Sequence, residues 1–414
     1  MKYGCIGKKL SHSFSREIHE MIGGYEYSLI ELSENELSEF FKKRDFSAIN
    51  VTIPYKEAVI PFLDEIHPSA LSVGAVNTVV NRGGALIGYN TDIYGMEALI
   101  KRNGIDIEGK AALILGSGGT SKTARAVLEK MGASKIITVS RNPDKGEISY
   151  TDVYKKHLNT EIIVNTTPVG MFPNIFSEPI DISAFENLYA VIDAVYNPER
   201  TLLLQRGSER GAKTAGGLYM LISQAIFASE LFLGVKYPRG LSDEIYEKTI
   251  KSKRNIALIG MPSSGKSTVG KILASELCRP LYDTDFLIEE RCGASIKSIF
   301  KERGEGYFRD AEAEEIKRVA PLHSSVISVG GGAVLRKDNL EALRANSNVV
   351  YIKRPLSALM PSNDRPLSAS EDALSSLYHE RLPIYEGAAD IIIDAGCDSP
   401  EDIAKRITEV LNLT

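Results

Sequence analysis

Residues 255 to 273, NIALIGMPSSGKSTVGKIL, decide how this chain is read. The stretch opens as an apolar run, passes through Gly260-Met-Pro-Ser263-Ser264-Gly265-Lys266-Ser267-Thr268, and resumes with Val269, Ile272 and Leu273 at helical spacing. A strand, a glycine-bounded loop and a helix in that order make a phosphate loop. The glycines let successive backbone N–H groups face a polyphosphate at the positive end of the helix. Lys266 can reach the outer phosphates, and the Ser267 hydroxyl can hold a magnesium ion. The spacing predicts a nucleoside triphosphate cradled by Gly260, Ser263, Ser264, Gly265, Lys266, Ser267 and Thr268. A chance glycine-rich loop would not need the strand before it and the helix after it. A phosphate loop follows the first strand of its domain, so about 250 residues before it belong to something else.

Working outward, the 414 residues exceed what one hydrophobic core serves, and two or three domains are expected. Apolar residues make up 43% and charged residues 25%, with a net charge of -5 and no Trp, which is the composition of an ordinary globular protein. No basic footprint for nucleic acid is present, and Lys251-Ser-Lys253-Arg254 reads as a solvated linker. No apolar run approaches the ~20 residues of a membrane span, and MKYGCIGKKLSHS lacks the apolar core of a signal peptide, so a cytoplasmic protein without membrane partners is expected. Cys5, Cys278, Cys292 and Cys397 lack CxxC spacing and read as reduced thiols. Leu241 to Lys251 has helical spacing and closes the first half, with the boundary near Ser252.

The first half opens with a short strand, Tyr3 to Gly7, feeding the polar loop Ser11-His12-Ser13-Phe14-Ser15 and a helix from about Arg16 to Met21. On chemistry alone its hydroxyls read as helix caps. His12 beside Ser13 has no third partner and makes no triad. Ile49-Asn50-Val51-Thr52-Ile53-Pro54-Tyr55-Lys56 then delivers a lysine to a strand end. The runs through Asn77-Thr78 and through Asn90-Thr91-Asp92 repeat the pattern of an apolar strand ending in polar groups, which is how an α/β domain builds a site. Ala111 to Leu115, then Gly116-Ser117-Gly118-Gly119-Thr120, an amphipathic helix and a second strand to Val139 make a Rossmann βαβ start in variant form. That second strand ends in Ser140-Arg141-Asn142, with an arginine and no carboxylate, which favours the 2′-phosphate of NADP. Runs ending in Asn165-Thr166-Thr167 and in Asp193-Ala-Val-Tyr196 read as later strands, and Gly216-Gly217-Leu218 opens a long apolar helix that carries Gln224.

The blocks SHSFS, NVTIPYK, GAVNT, GYNTD, GSGGT, NTTPVGM, VYNP and GGLYMLISQA stand in the order and spacing of shikimate dehydrogenases, and the resemblance covers nearly all of residues 1 to 240. It implies that Ser13 and Ser15 bind the substrate carboxylate, against the capping reading. It implies further that Thr52, Asn77, Asp92 and Gln224 line the shikimate site, with Lys56 and Asp92 as the catalytic pair. The family's NADP site maps onto Gly116 to Thr120, Ser140, Arg141, Thr166 and Gly217. Arg16 stands where the family has proline, Ser140 and Asn142 replace Asn and Thr beside Arg141, and the Trp expected near Leu233 is missing.

Beyond the phosphate loop, Leu281-Tyr-Asp283-Thr-Asp285 ends in two carboxylates which, on an extended segment, would share a side. Arg309 and Glu312 have helical spacing, and Val326 to Gly332 reads as a strand ending in the turn Gly330-Gly331-Gly332. These pieces resemble shikimate kinases over residues 254 to 414. By that resemblance Asp283 assists magnesium together with Ser267, and Asp285 contacts the attacking hydroxyl. Arg309, Arg381 and the Gly330 to Gly332 turn hold shikimate, and Arg365 comes from a lid over ATP. The lid is a few residues shorter than usual, and Leu359-Met360-Pro361 stands where the family carries an arginine near the adenine.

The expected fold is α/β. A two-lobed dehydrogenase occupies residues 1–252, with a substrate lobe of about 1–94 plus 217–252 and a Rossmann NADP lobe of about 95–216, and a P-loop kinase domain with a parallel sheet follows at 253–414. The expected function is NADPH-dependent reduction of 3-dehydroshikimate followed by ATP- and Mg2+-dependent phosphorylation of shikimate. The rival reading keeps the kinase and makes the first half non-catalytic or quinate-using.

Overall fold

The computed structural model describes residues 2–10, 14–144, 146–360 and 370–413. The chain divides into two compact units, Met1–Thr249 and Ile250–Thr414, and the division falls inside the helix Leu241–Lys253.

The first unit holds two sheets. Strands β1 (Tyr3–Gly7), β2 (Tyr27–Glu31), β3 (Ala48–Val51), β4 (Glu65–Ile66), β5 (Thr78–Arg82) and β6 (Ala85–Tyr89) lie in the order β2-β1-β3-β5-β6-β4. This sheet is mixed: β1 runs parallel to β2 and β3, whereas β5 is antiparallel to both β3 and β6. The polar run at Asn77-Thr78 reads in sequence as a strand end, but Thr78 is where β5 begins. The reversal brings it to the same edge nonetheless. Thr78 sits opposite Asn50 at the end of β3 and opposite Tyr89 at the end of β6. The polar groups around Thr52, Asn77 and Asp92 therefore leave the sheet along one edge.

Strands β7 (Ala111–Leu115), β8 (Lys135–Val139), β9 (Glu147–Ile148), β10 (Ile162–Asn165), β11 (Ala190–Asp193) and β12 (Lys213–Gly216) form a second, all-parallel sheet in the order β12-β11-β10-β7-β8-β9. Read from the other edge this is the doubly wound 3-2-1-4-5-6 order, with its switch point between β7 and β10. Alternate residues serve two cores. Ala112, Ile114, Val164 and Ile192 pack with Met96, Leu99 and Val127 from helices on one face, and Leu113, Leu115, Ile163 and Val191 pack with Leu203 and Leu204 on the other. Burial on both faces is why these strands read as unbroken apolar runs. Truncating one of them, Ile114→Ala for instance, costs about 2–5 kcal/mol. The helix Leu218–Leu233 returns to pack against the helices Asp92–Arg102 and Ser15–Ile22 and against β3 and β5.

The second unit has one parallel sheet, with β13 (Asn255–Ile259), β14 (Leu281–Asp283), β15 (Val326–Ser328), β16 (Ser347–Lys353) and β17 (Ile391–Asp394) in the order β14-β15-β13-β16-β17. Its central strand β13 is buried at all five positions and leads into the phosphate loop. Among the described residues no helix is long and apolar enough to cross a membrane.

Candidate active sites

In the first unit a cavity of about 250 Å³ opens where the edge of the mixed sheet faces the loops of the parallel sheet. Ser15, Thr52, Lys56, Asn77, Asp92 and Gln224 line it from one side, and Thr120, Thr166 and Gly217 complete the other. Lys56 Nζ lies 2.6 Å from Asp92 Oδ2, and both side chains are largely buried. Asp92 opens the helix Asp92–Arg102, so its carboxylate lies at the positive end of that helix. Asn77 Nδ2 donates to Asp92 Oδ1 at 2.9 Å and to Gln224 Oε1 at 3.4 Å, and the Thr91 backbone N–H donates to Asn77 Oδ1 at 2.7 Å. A cation fixed by a carboxylate that is itself fixed by an amide can deliver a proton to one place.

The glycine turn meets this pair. A Cβ at Gly119 would stand 3.6 Å from Lys56 Cδ, so the start of the helix Gly119–Lys130 comes against the lysine stem. Gly118 caps that helix, and Gly116 N–H donates to the Val139 carbonyl at 2.8 Å. That bond sets the turn beside the end of β8, from which Ser140 and the exposed Arg141 continue. Thr166 Oγ1 donates to the Leu115 carbonyl at 2.6 Å, and Ser140 Oγ donates to the Asn142 carbonyl at 3.1 Å. Ser117 lines a separate hollow with Lys122 and Arg125, and Arg141 does not line the cavity. Ser13 lies outside the described residues.

Among the wall residues that the sequence reading did not single out are Asn50, Tyr196 and Met220. Asn50 and Tyr196 stand inside the NVTIPYK and VYNP blocks, so position in the motif was the available signal. Beneath Tyr196 lies Asp193, fully buried, which accepts from Asn165 Nδ2, the Val195 N–H and Thr201 Oγ1 at 2.9, 3.0 and 2.7 Å. Burial pushes its carboxyl up to about 7, against the pull of those three donors.

In the second unit a cavity of about 590 Å³ is lined by Ser263, Gly265, Lys266, Ser267 and Thr268 of the phosphate loop and by Asp285, Arg309, Gly330, Gly331, Gly332 and Arg381. Gly265 has φ 91°, a conformation that side chains disfavour, and it caps the helix Lys266–Glu276. The Lys266 ammonium donates to the Gly260 and Met261 carbonyls at 2.9 and 2.8 Å. Ser264 is buried within the loop, and its carbonyl accepts from Arg354 Nε at 3.1 Å. Arg354, which the sequence reading passed over, thus braces the loop.

The two carboxylates of the Asp283-Thr-Asp285 run do not share an extended segment. The chain turns helical at Thr284, and Asp283 becomes the cap of the helix Thr284–Cys292, accepting from the Asp285 and Phe286 N–H groups at 3.1 and 3.3 Å. Asp285 therefore faces the cavity from the first helical turn, whereas Asp283 is not among the lining residues. Arg309 Nη1 donates to Glu312 Oε2 at 2.8 Å and Arg381 Nη1 donates to the Gly331 carbonyl at 3.0 Å; the Tyr385 hydroxyl donates to that same carbonyl. Burial pushes the Glu312 carboxyl up, and the Arg309 guanidinium opposes it. Glu289, Phe300 and Phe308 add walls not foreseen in the sequence. Arg365 lies outside the described residues. The loop backbone, Lys266 and Ser267 form a donor set that fits a triphosphate with its magnesium ion.

Comparison with known proteins finds relatives for both units. A family profile for the shikimate dehydrogenase substrate binding domain matches residues 5–79, and one for shikimate kinase matches residues 262–412. An NADP(+)-type shikimate dehydrogenase of Clostridium perfringens is 36% identical over 263 residues, covering 59% of this chain and 97% of that protein. The chain belongs to the shikimate dehydrogenase family. It carries a shikimate kinase domain behind that part. The crystal structure of a shikimate dehydrogenase from Peptoclostridium difficile aligns with 37% identity and TM-score 0.56 over 60% of this chain and 98% of its own. A shikimate dehydrogenase of Thermus thermophilus, solved with NADP(H) and shikimate, aligns with 27% identity and TM-score 0.54 over 60% and 99%.

Proposed function

We infer that this chain catalyses two consecutive reactions, NADPH-dependent reduction of 3-dehydroshikimate to shikimate and ATP-dependent phosphorylation of shikimate to shikimate 3-phosphate. One observation carries the reading: a shikimate dehydrogenase cavity with the Lys56–Asp92 pair at 2.6 Å and a shikimate kinase domain with an intact phosphate loop occur in a single chain. The assignment of residues 1–94 and 217–252 to the substrate lobe, 95–216 to the NADP lobe and 253–414 to the kinase is supported by the two sheets of the first unit and the return of the helix Leu218–Leu233. The mildly acidic composition supports small-molecule substrates over nucleic acid, and a cytoplasmic setting without membrane partners is proposed with them.

Bound in these sites, NADPH supplies the hydride, and ATP with magnesium supplies the phosphoryl group. In the first site Lys56 gives a proton to the developing alkoxide while Asp92 holds the ammonium in place. Ser13, Ser15, Thr52, Asn77 and Gln224 hold the substrate's carboxylate and hydroxyls. Gly116 to Thr120, Ser140, Arg141, Thr166 and Gly217 hold the dinucleotide, with the Arg141 guanidinium on the 2′-phosphate. In the second site Asp285 orients the attacking hydroxyl and takes its proton. Lys266 and Arg365 neutralise phosphate charge, Ser267 positions the metal, and Asp283, which caps the helix carrying Asp285, assists from outside the cavity wall. Arg309, Arg381 and the Gly330 to Gly332 turn bind the shikimate carboxylate and ring.

The test is a single incubation of the full-length chain with 3-dehydroshikimate, NADPH, ATP and magnesium. NADPH is consumed and shikimate 3-phosphate accumulates; without ATP, or in Asp285→Asn and Lys266→Ala variants, the sequence stops at shikimate. Phosphorylation of added shikimate without NADPH oxidation would reduce the first half to a non-catalytic module. Oxidation of quinate faster than of shikimate would make it a quinate enzyme.

A further inference from the structure

Behind the Lys56–Asp92 pair a run of hydrogen bonds leads away from the cavity. It ends at Tyr27 on β2, which is 3% exposed, does not line the cavity, and stacks on the His19 ring with centroids 3.8 Å apart. The Tyr27 hydroxyl donates to Asn50 Oδ1 at 2.6 Å. Asn50 Nδ2 donates to Thr78 Oγ1 at 3.0 Å and to the Asn77 carbonyl at 3.3 Å. Thr78 Oγ1 donates to Asn77 Oδ1 at 3.1 Å, and Asn77 Nδ2 donates to Asp92 Oδ1 at 2.9 Å. The other Asp92 oxygen takes the Lys56 ammonium.

Two backbone groups fix the direction of this run. The Asn77 carbonyl can only accept, so Asn50 presents its nitrogen there and turns its oxygen to Tyr27. The Thr91 N–H can only donate, so Asn77 presents its oxygen to it and its nitrogen to Asp92. With both amides set, the Tyr27 hydroxyl is the donor that satisfies a buried oxygen of Asn50. Removing it takes away the 2.6 Å donor and leaves Asn50 Oδ1 to the neighbouring His19 ring, so the amide is no longer held in one place and the change is felt along the network.

We propose that Tyr27 is a positioning residue for the reduction: it orients Asn50 and, through Thr78 and Asn77, holds Asp92 and the Lys56 ammonium where the proton is needed. The proposal rests on the reading of the first site as a reductase. Wild-type chain that fails to oxidise NADPH with 3-dehydroshikimate sinks that reading itself, before any variant is made.

In an active chain, Tyr27→Phe keeps the ring against His19 and removes the donor. Displacement of a reacting group by a fraction of an ångström lowers turnover, so kcat for reduction falls about tenfold while KM changes less than about twofold. With NADPH deuterated at the transferred position, the isotope effect on kcat rises above the wild-type value, because the chemical step becomes more rate-limiting. A smaller folded fraction would not raise it. Wild-type kcat and isotope effect, or a rise in KM alone, overturns the proposal. Should Tyr27→Phe not fold, Thr78→Val breaks the same run, and Thr78→Ser, which keeps the hydroxyl, restores kcat and the isotope effect. Equal values for Val and Ser overturn it.

Discussion

Arg309 Nη1 and Glu312 Oε2 are 2.8 Å apart, and the carboxylate is wholly shielded from solvent. The guanidinium so held stands against Gly332: a Cβ there would lie 2.3 Å from Arg309 Nη1. Gly332→Ala must push the guanidinium aside, and its flexible stem lets it move. The expected result is a rise in kinase KM for shikimate of about tenfold, with little loss of melting temperature. Unchanged KM would remove Arg309 from substrate binding.

Lys56→Ala takes away the proton donor beside Asp92. Dehydrogenase kcat should fall about 100-fold or more, the range of general acid groups, with shikimate phosphorylation unaffected. Steady-state kinetics of both reactions on the same preparation gives the answer, and near-normal NADPH oxidation would exclude Lys56 as the donor.

Arg141 follows β8 with no acidic neighbour in Ser140-Arg141-Asn142. Wild-type enzyme should prefer NADPH to NADH in kcat/KM, and Arg141→Ala should narrow that ratio by about tenfold through loss of the 2′-phosphate contact. An Arg141→Ala variant with an undiminished ratio would place the 2′-phosphate elsewhere.

Asp193 gives a pH dependence to the stability of the first unit. Its carboxyl rises from 3.8 unfolded to about 7 folded, so between those values the folded state binds the extra proton and stability from this group falls as pH rises. Below 3.8 the contribution is fully present, and above 7 it is lost. Asp193→Asn retains an oxygen for Asn165 and Val195 and has no proton to lose. Melting curves from pH 4 to 7 should show the wild type losing stability relative to Asp193→Asn; parallel curves would show that Asp193 does not titrate in that range.

Much of this was legible in the chain. The runs from Asn255 and from Ala111 placed both parallel sheets, because strands buried on two faces have no polar residues to blur their limits. The Lys56, Asp92, Asn77 and Gln224 cluster was legible as membership of motifs, not as geometry. Asn77 reads in sequence as a strand end, although it precedes β5, since nothing in the order of residues announces that a strand runs backwards. Asp285 reads as part of an extended segment because a three-residue strand and the first turn of a helix look alike in so short a run. Tyr27 was invisible for a different reason. It meets Asn50 across 23 residues through one hydroxyl, and no periodicity records a single hydrogen bond.

The helix Leu241–Lys253 is separated from β13 by Arg254 alone, and β13 is the middle strand of its sheet. For biogenesis this sets an order of events. When β13 leaves the ribosome the first unit is complete, yet the neighbours of β13, β15 and β16, lie about 70 and 90 residues downstream. At ~5–20 residues per second the apolar strand NIALI waits roughly 4 to 18 seconds for its second partner. The nascent chain therefore carries a completed first unit at its front while an apolar strand that the folded protein buries at all five positions is still uncovered, which exposes it to aggregation during that interval.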